Sequence, residues 1–239
     1  METNGTSPRP DLSVFLDSAL YPDLIERGGL VSALESLARE SGLDVGTPYS
    51  EYASGPGRYK SAVIATDRGT MSMLLGKHER MFSLDVRGRG FTWADGMTDD
   101  LRELVRAVAA WRSGVPVDEF AGAFPFMRLG RLARGYESGD PIAAQWEWLR
   151  TAEVYDDERP LVEAAHADGR LRGLFPYLSH GVLRLSTELG RQGAREIQIC
   201  PVTGGSYQVE DTGSGDGVRN AVALEEAIDA AVDLLLTSG

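Results

Sequence analysis

The chain has 239 residues, of which 42% are hydrophobic and 25% charged, with a formal net charge of -12 and a single cysteine. That balance belongs to an ordinary soluble globular protein, long enough for one large core or two packed lobes, and it excludes a long disordered centre. The acidity argues against nucleic-acid binding, which depends on clustered cations. No apolar run approaches the roughly 18–20 residues that span a bilayer, so no membrane partner is expected.

In chain order, Met1 to Leu12 is polar and proline-containing, without the basic start or apolar stretch of a secretory signal, and reads as a loose tail. Leu30, Leu34, Leu37 and Ala38 recur at helical spacing and predict a helix over 30–41, with Gly42 placed to end it. After Gly55-Pro56-Gly57, the alternation of apolar and polar residues predicts strands over 59–66, 70–75 and 81–86, joined by hairpin-length connections, and a short fourth strand over 91–93. Thr98 is positioned to cap a helix carrying Leu101, Leu104, Val105, Val108 and Trp111, closed by Gly114 and Pro116. Residues 120–135 read as a bend at Phe124-Pro125-Phe126 leading into a helix through Leu129 and Leu132. A helix with Trp146, Trp148 and Leu149 follows Asp140-Pro141, and another runs from Pro160 to Ala167. Strands resume over 182–186, 196–201 and 206–210, and a last helix is predicted over 221–236.

This order predicts an α+β fold: two antiparallel meander sheets, each followed by a long amphipathic helix, with a helical segment between them. The corresponding divisions are a flexible tail 1–19, an N-terminal lobe 20–115, a helical connection 116–169 and a C-terminal lobe 170–239. Phe91–Trp111 and Tyr207–Leu235 share a low-level likeness, open to two readings: an old duplication or the common grammar of α+β domains.

Chemistry-bearing candidates concentrate in 174–184. Ser179 and His180 stand where an apolar run meets a strand, and an imidazole titrates near neutrality, so His180 is a candidate acid or base. As neighbours on a strand, Ser179 and His180 would point to opposite faces; in a loop they could meet. Arg184 is a candidate anion holder, and Tyr177, Phe126 and Trp148 are candidate aromatic contacts for a substrate. Cys200 falls out of phase with Ile197 and Ile199, facing away from the core side, and reads as a small filler. Gly213 to Gly217 lacks a phosphate-loop ending and reads as a linker. The three histidines have no close ligand spacing, and no cofactor or metal signature is present. Basic residues are arginine except at Lys60 and Lys77.

The motifs Phe124-Pro125-Phe126 and Leu174-Phe175-Pro176…Ser179-His180-Gly181…Leu183-Arg184 resemble those of an actinobacterial family of unknown function whose members are labelled natural-product biosynthesis proteins. Tyr21-Pro22, Phe91-x-Trp93 with Trp111, and Gly205-x-Tyr207-x-Val209 extend the resemblance over about residues 20–236. It implies a cytoplasmic protein working among biosynthetic proteins and hands over no catalytic residues. The expectation is therefore an accessory or tailoring protein for a specialised metabolite. Its step would be a cofactor-independent cyclisation or elimination on a peptide-derived or small-molecule intermediate, with His180 moving the proton. The alternative is a non-catalytic peptide-binding, chaperone or immunity-type partner, and a homodimer is compatible with either.

Overall fold

A computed structural model describes residues 11–88, 90–188, 193–213 and 218–237. The chain divides into two compact units, one ending at Ala133 and the other beginning at Arg134. Each contains one five-stranded antiparallel sheet, in the order β1-β2-β3-β4-β5 in the first and β10-β9-β8-β7-β6 in the second. The expected α+β class and the meander connectivity are therefore present.

In the first unit a 3-10 turn at Leu12–Val14 precedes α1 (Pro22–Arg27) and α2 (Leu30–Ser41). Leu12 and Leu16, within the stretch expected to be a flexible tail, are buried. Helix α2 has the predicted limits, buries Leu30, Ala33, Leu34, Leu37 and Ala38, and stops at Gly42, whose φ of 65° suits a residue without a Cβ. A single helical turn α3 (Gly57–Lys60) takes up the start of the expected 59–66 strand, so β1 runs Ser61–Thr66. Strands β2 (Gly69–Leu75), β3 (Phe82–Arg87) and β4 (Thr92–Thr98) complete the meander. Strand β4 is longer than its apolar start suggested, because pairing with β3 carries it through Asp95 and Gly96.

Helix α4 (Leu101–Arg112) is capped by Asp100, not by Thr98. The Asp100 carboxylate accepts the amide protons of Arg102 at 2.7 Å and Glu103 at 3.4 Å, while Thr98 accepts the Asp100 N–H at 3.1 Å. A carboxylate serves the positive end of a helix better than a hydroxyl does. Helix α5 (Val117–Ala123) follows, and then the expected helix through Leu129 is replaced by β5 (Met127–Leu129), which pairs with β4.

A row of rings binds these elements together. Centroid distances are 4.8 Å for Phe91–Trp93, 5.7 Å for Trp93–Trp111, 5.1 Å for Trp111–Phe120 and 5.2 Å for Phe120–Phe124. The Arg68 guanidinium lies 3.7 Å from the Trp111 ring centre and donates to the carbonyls of Trp111 and Val115, closing the C-terminal end of α4.

In the second unit, α6 (Ala133–Ser138), which starts at the boundary, α7 (Pro141–Thr151) and α8 (Arg159–Ala167) precede the sheet. The sheet comprises β6 (Phe175–Ser179), β7 (Val182–Ser186), β8 (Glu196–Val202), β9 (Ser206–Asp211) and β10 (Arg219–Ala221), and α9 (Leu224–Thr237) closes the fold. Leu183, Leu185, Ile197, Ile199 and Val209 point to one face, where they pack with Trp146, Leu149, Leu161, Val162, Ala165, Ala231 and Leu234 of the helices. Buried Asp211 pairs with Arg195 at 2.8 Å, and Arg195 also donates to the Leu234 carbonyl at 2.8 Å, joining β8 and β9 to the end of α9.

Strand β6 went unpredicted because it contains Pro176. It is the edge strand, pairing only with β7, and an edge is where proline is tolerated. In each unit a meander of consecutive strands, four in the first and five in the second, runs between two helices that pack on each other, α2 with α4 and α8 with α9.

Candidate functional site

Strands β6 and β7 form a two-residue hairpin whose tip is His180-Gly181. Both have positive φ, 54° and 77°, which defines the mirror-image turn that matches strand twist. His180 is the one non-glycine residue with positive φ among the described residues, at a cost of about 1 kcal/mol. Its ring is exposed, and Nδ1 shares a hydrogen bond of 3.1 Å with the Ser179 hydroxyl. Ser179 and His180 do meet, because the turn removes the alternation that a strand would impose. Among the described residues no carboxylate bonds the other ring nitrogen.

Register then arrays side chains across the sheet face opposite the core. Tyr177 is paired with Arg184, Arg184 with Gln198, and Gln198 with Glu210. Glu196, one step along β8, gathers this row: Tyr177 donates its phenol proton to Oε1, while Arg184 and the Gln198 amide each reach Oε2 at 3.4 Å. Burial, followed by the hydrogen bond to Glu196, pushes the Tyr177 phenol above its ordinary pKa. The buried Nε of Arg184 has no hydrogen-bond partner among the described residues. Cys200 lies on this same face, as its phase predicted, and its Sγ is 3.6 Å from the Pro201 carbonyl.

Of the six residues singled out from the sequence, the fold gathers four on one hairpin: Tyr177 and Arg184 side by side, Ser179 and His180 at the tip. Trp148 instead packs against the core on the helical side of the sheet, edge-on to Tyr155 at 4.8 Å. Phe126 meets Phe124 edge-on at 6.0 Å in the first unit. Glu196 and Gln198 were missed, although the alternation that turned Cys200 away from the core places them beside it.

A second feature lies between α8 and α9. A groove of about 490 Å³ is lined by Ala164, Ala223, Leu224 and Ile228, with Glu225 and Asp229 beside them. Glu225 and Asp229 are four residues apart on α9 and so share a face. Their unit is strongly acidic: from Arg134 onward there are nine arginines against eighteen carboxylates, which is -9 of the chain's -12. Among the described residues no group of three or more His, Cys, Asp or Glu side chains is arranged to hold a metal ion, and no helix is long and apolar enough to cross a membrane.

Residues 140–237 match a family of unknown function, DUF6193. The match opens on Asp140, whose carboxylate caps α7, and closes on Thr237, the last residue of α9. The matched region therefore includes the whole second sheet, the polar face around Glu196 and the α8–α9 groove. No curated protein and no solved structure matches the chain.

Proposed function

We propose that this protein is a non-catalytic binding partner in specialised-metabolite biosynthesis, and that its DUF6193 region holds a cationic, peptide-derived ligand. The observation that carries the reading is the α8–α9 groove, where an apolar floor of Leu224 and Ile228 is edged by Glu225 and Asp229 in a unit of charge -9. An apolar floor takes up hydrocarbon, and a field of one sign concentrates ligands of the other. The biosynthetic setting, in the cytoplasm, rests on the family resemblance of the sequence motifs. Isothermal titration of the whole protein with a short Lys/Leu peptide and with its Glu/Leu counterpart tests the proposal. The basic peptide should bind more weakly as salt rises, and the E225Q/D229N variant should lose about tenfold in affinity, the order expected for removing charge-assisted contacts. Equal binding of the two peptides would end the reading.

A second reading keeps His180 as a cofactor-independent proton shuttle, and the Ser179–His180 hydrogen bond favours it. It requires His180→Ala to abolish turnover of a neighbouring enzyme's product. The binding reading requires the same variant to leave peptide affinity unchanged.

A further inference from the structure

Twenty-two of the 24 basic residues are arginine, and lysine stands only at 60 and 77. Both lysines line one cleft of about 260 Å³ in the first unit, together with Leu16, Asp17, Tyr21 and Leu75. Lys60 ends α3 and Lys77 follows β2 by two residues; the pairing of Ser61 with Leu74 brings these chain segments side by side. Among the described residues neither ammonium group has an ion-pair or hydrogen-bond partner. Several arginines of the same unit are matched to carboxylates, as in Arg27–Glu40, Arg80–Asp23 and Arg112–Asp44, whereas Arg39 and Arg102, which do not line this cleft, have no ion-pair partner among the described residues. In a chain whose acidic groups outnumber its basic ones 36 to 24, two unmatched lysines lining one cleft make a local excess of positive charge.

The cleft is also held in shape. The Gly76 N–H donates to the Met81 carbonyl at 2.8 Å, fixing the turn that carries Lys77. The Tyr21 hydroxyl lies within 3.1 Å of the carbonyls of Gly76, Glu79 and Met81 and accepts the Met81 N–H, so it is satisfied by backbone. Asp17 is the other charged group in the cleft. Its Oδ1 accepts the amide protons of Ala19 at 2.8 Å and Leu20 at 3.3 Å, which ties the carboxylate to its own turn and leaves the lining with one net positive charge.

We propose that this cleft binds a small organic carboxylate, its charge between Lys60 and Lys77 and its hydrocarbon against Leu16 and Leu75. Lysine offers a compact point charge on a flexible stem, suited to a carboxylate of variable placement. The leucines favour a ligand with an apolar body over a bare inorganic anion. The site belongs to the first unit and is independent of the reading given to the DUF6193 region.

Calorimetric titration of the full chain with sodium octanoate tests the proposal, with octylammonium and inorganic phosphate as controls. Octanoate should bind at one site and lose about tenfold in affinity for each of Lys60→Met and Lys77→Met, the factor expected for one charge-assisted contact. The corresponding Lys→Arg variants should keep most of the affinity, and neither control should bind comparably. In amide NMR spectra of the unaltered protein, octanoate should shift Leu75, Gly76 and Lys77, a readout that does not depend on any variant folding. Octanoate binding unchanged in folded K60M/K77M, shifts confined to other residues, or octylammonium or phosphate binding as tightly as octanoate would each overturn it.

Discussion

Replacing Asp211 by asparagine should be among the most damaging conservative changes available in the second unit. The carboxylate is fully enclosed and accepts from Arg195 Nε at 2.9 Å, from a terminal Arg195 nitrogen at 2.8 Å and from the Gly213 N–H at 2.8 Å. Asparagine keeps the shape and can keep the Gly213 bond, but it leaves the Arg195 guanidinium, largely covered, without its counter-charge. Breaking one side of a buried pair costs about 3–5 kcal/mol. A domain of this size has roughly 5–15 kcal/mol in all. The loss should extend to α9, since Arg195 also bonds the Leu234 carbonyl. Replacing both partners, as in R195M/D211L, should cost far less than the single change, because no uncompensated charge remains. Since the chain has two units and need not unfold in one step, amide hydrogen exchange of β8, β9 and α9 is the appropriate assay. A D211N loss below about 1 kcal/mol, or a double variant worse than the single, would refute the argument.

His180→Gly should stabilise the hairpin by about 1 kcal/mol, because glycine adopts the positive φ without strain, and thermal unfolding would report it. Asp168 caps the turn after α8, and its pKa is lowered from 3.8 to about 2 by the Arg170 side chain first, opposed by burial and aided by the amides of Arg170 and Leu171. A depressed carboxylate adds stability that is present above its unfolded pKa and lost as pH falls through the folded one, so Asp168→Asn should flatten the stability profile between about pH 4 and pH 2. Pro176→Val should restore an outward N–H to the β6 edge and promote strand-to-strand association, visible by analytical ultracentrifugation; a strictly unchanged mass distribution at high concentration would count against proline as the edge's protection.

Most of the architecture was legible because its elements obey a single period. Helix α2 and strands β2, β3, β7, β8 and β9 alternate cleanly, and their limits were readable to within a residue or two. The elements that escaped are those decided by neighbours. Strand β5 exists because β4 offers an edge to Met127–Leu129, and β6 because a proline costs nothing when its missing donor faces outward. The helix cap moved from Thr98 to Asp100 because β4 runs through Thr98, which a reading of local capping chemistry alone does not register. For the polar face, Tyr177 and Arg184 were legible as chemistry but not as a pair. Their meeting point, Glu196, depends on the β6–β7–β8 register, which pattern does not supply. Phe126 ends a row of tilted and edge-on rings and Trp148 backs the core, the packing use that aromatic side chains most often have.

The hydroxyl of Tyr21 has a kinetic consequence. A meander closes hairpin by hairpin through contacts between near neighbours, which keeps loop-closure entropy small at every step. Tyr21 instead bonds residues 55 to 60 positions away, so its docking becomes affordable only once β2 and β3 are already paired. An interaction made after the barrier leaves the folding rate alone and governs how slowly the native state opens. Tyr21→Phe should therefore speed unfolding while leaving the folding rate nearly unchanged, as stopped-flow kinetics would show.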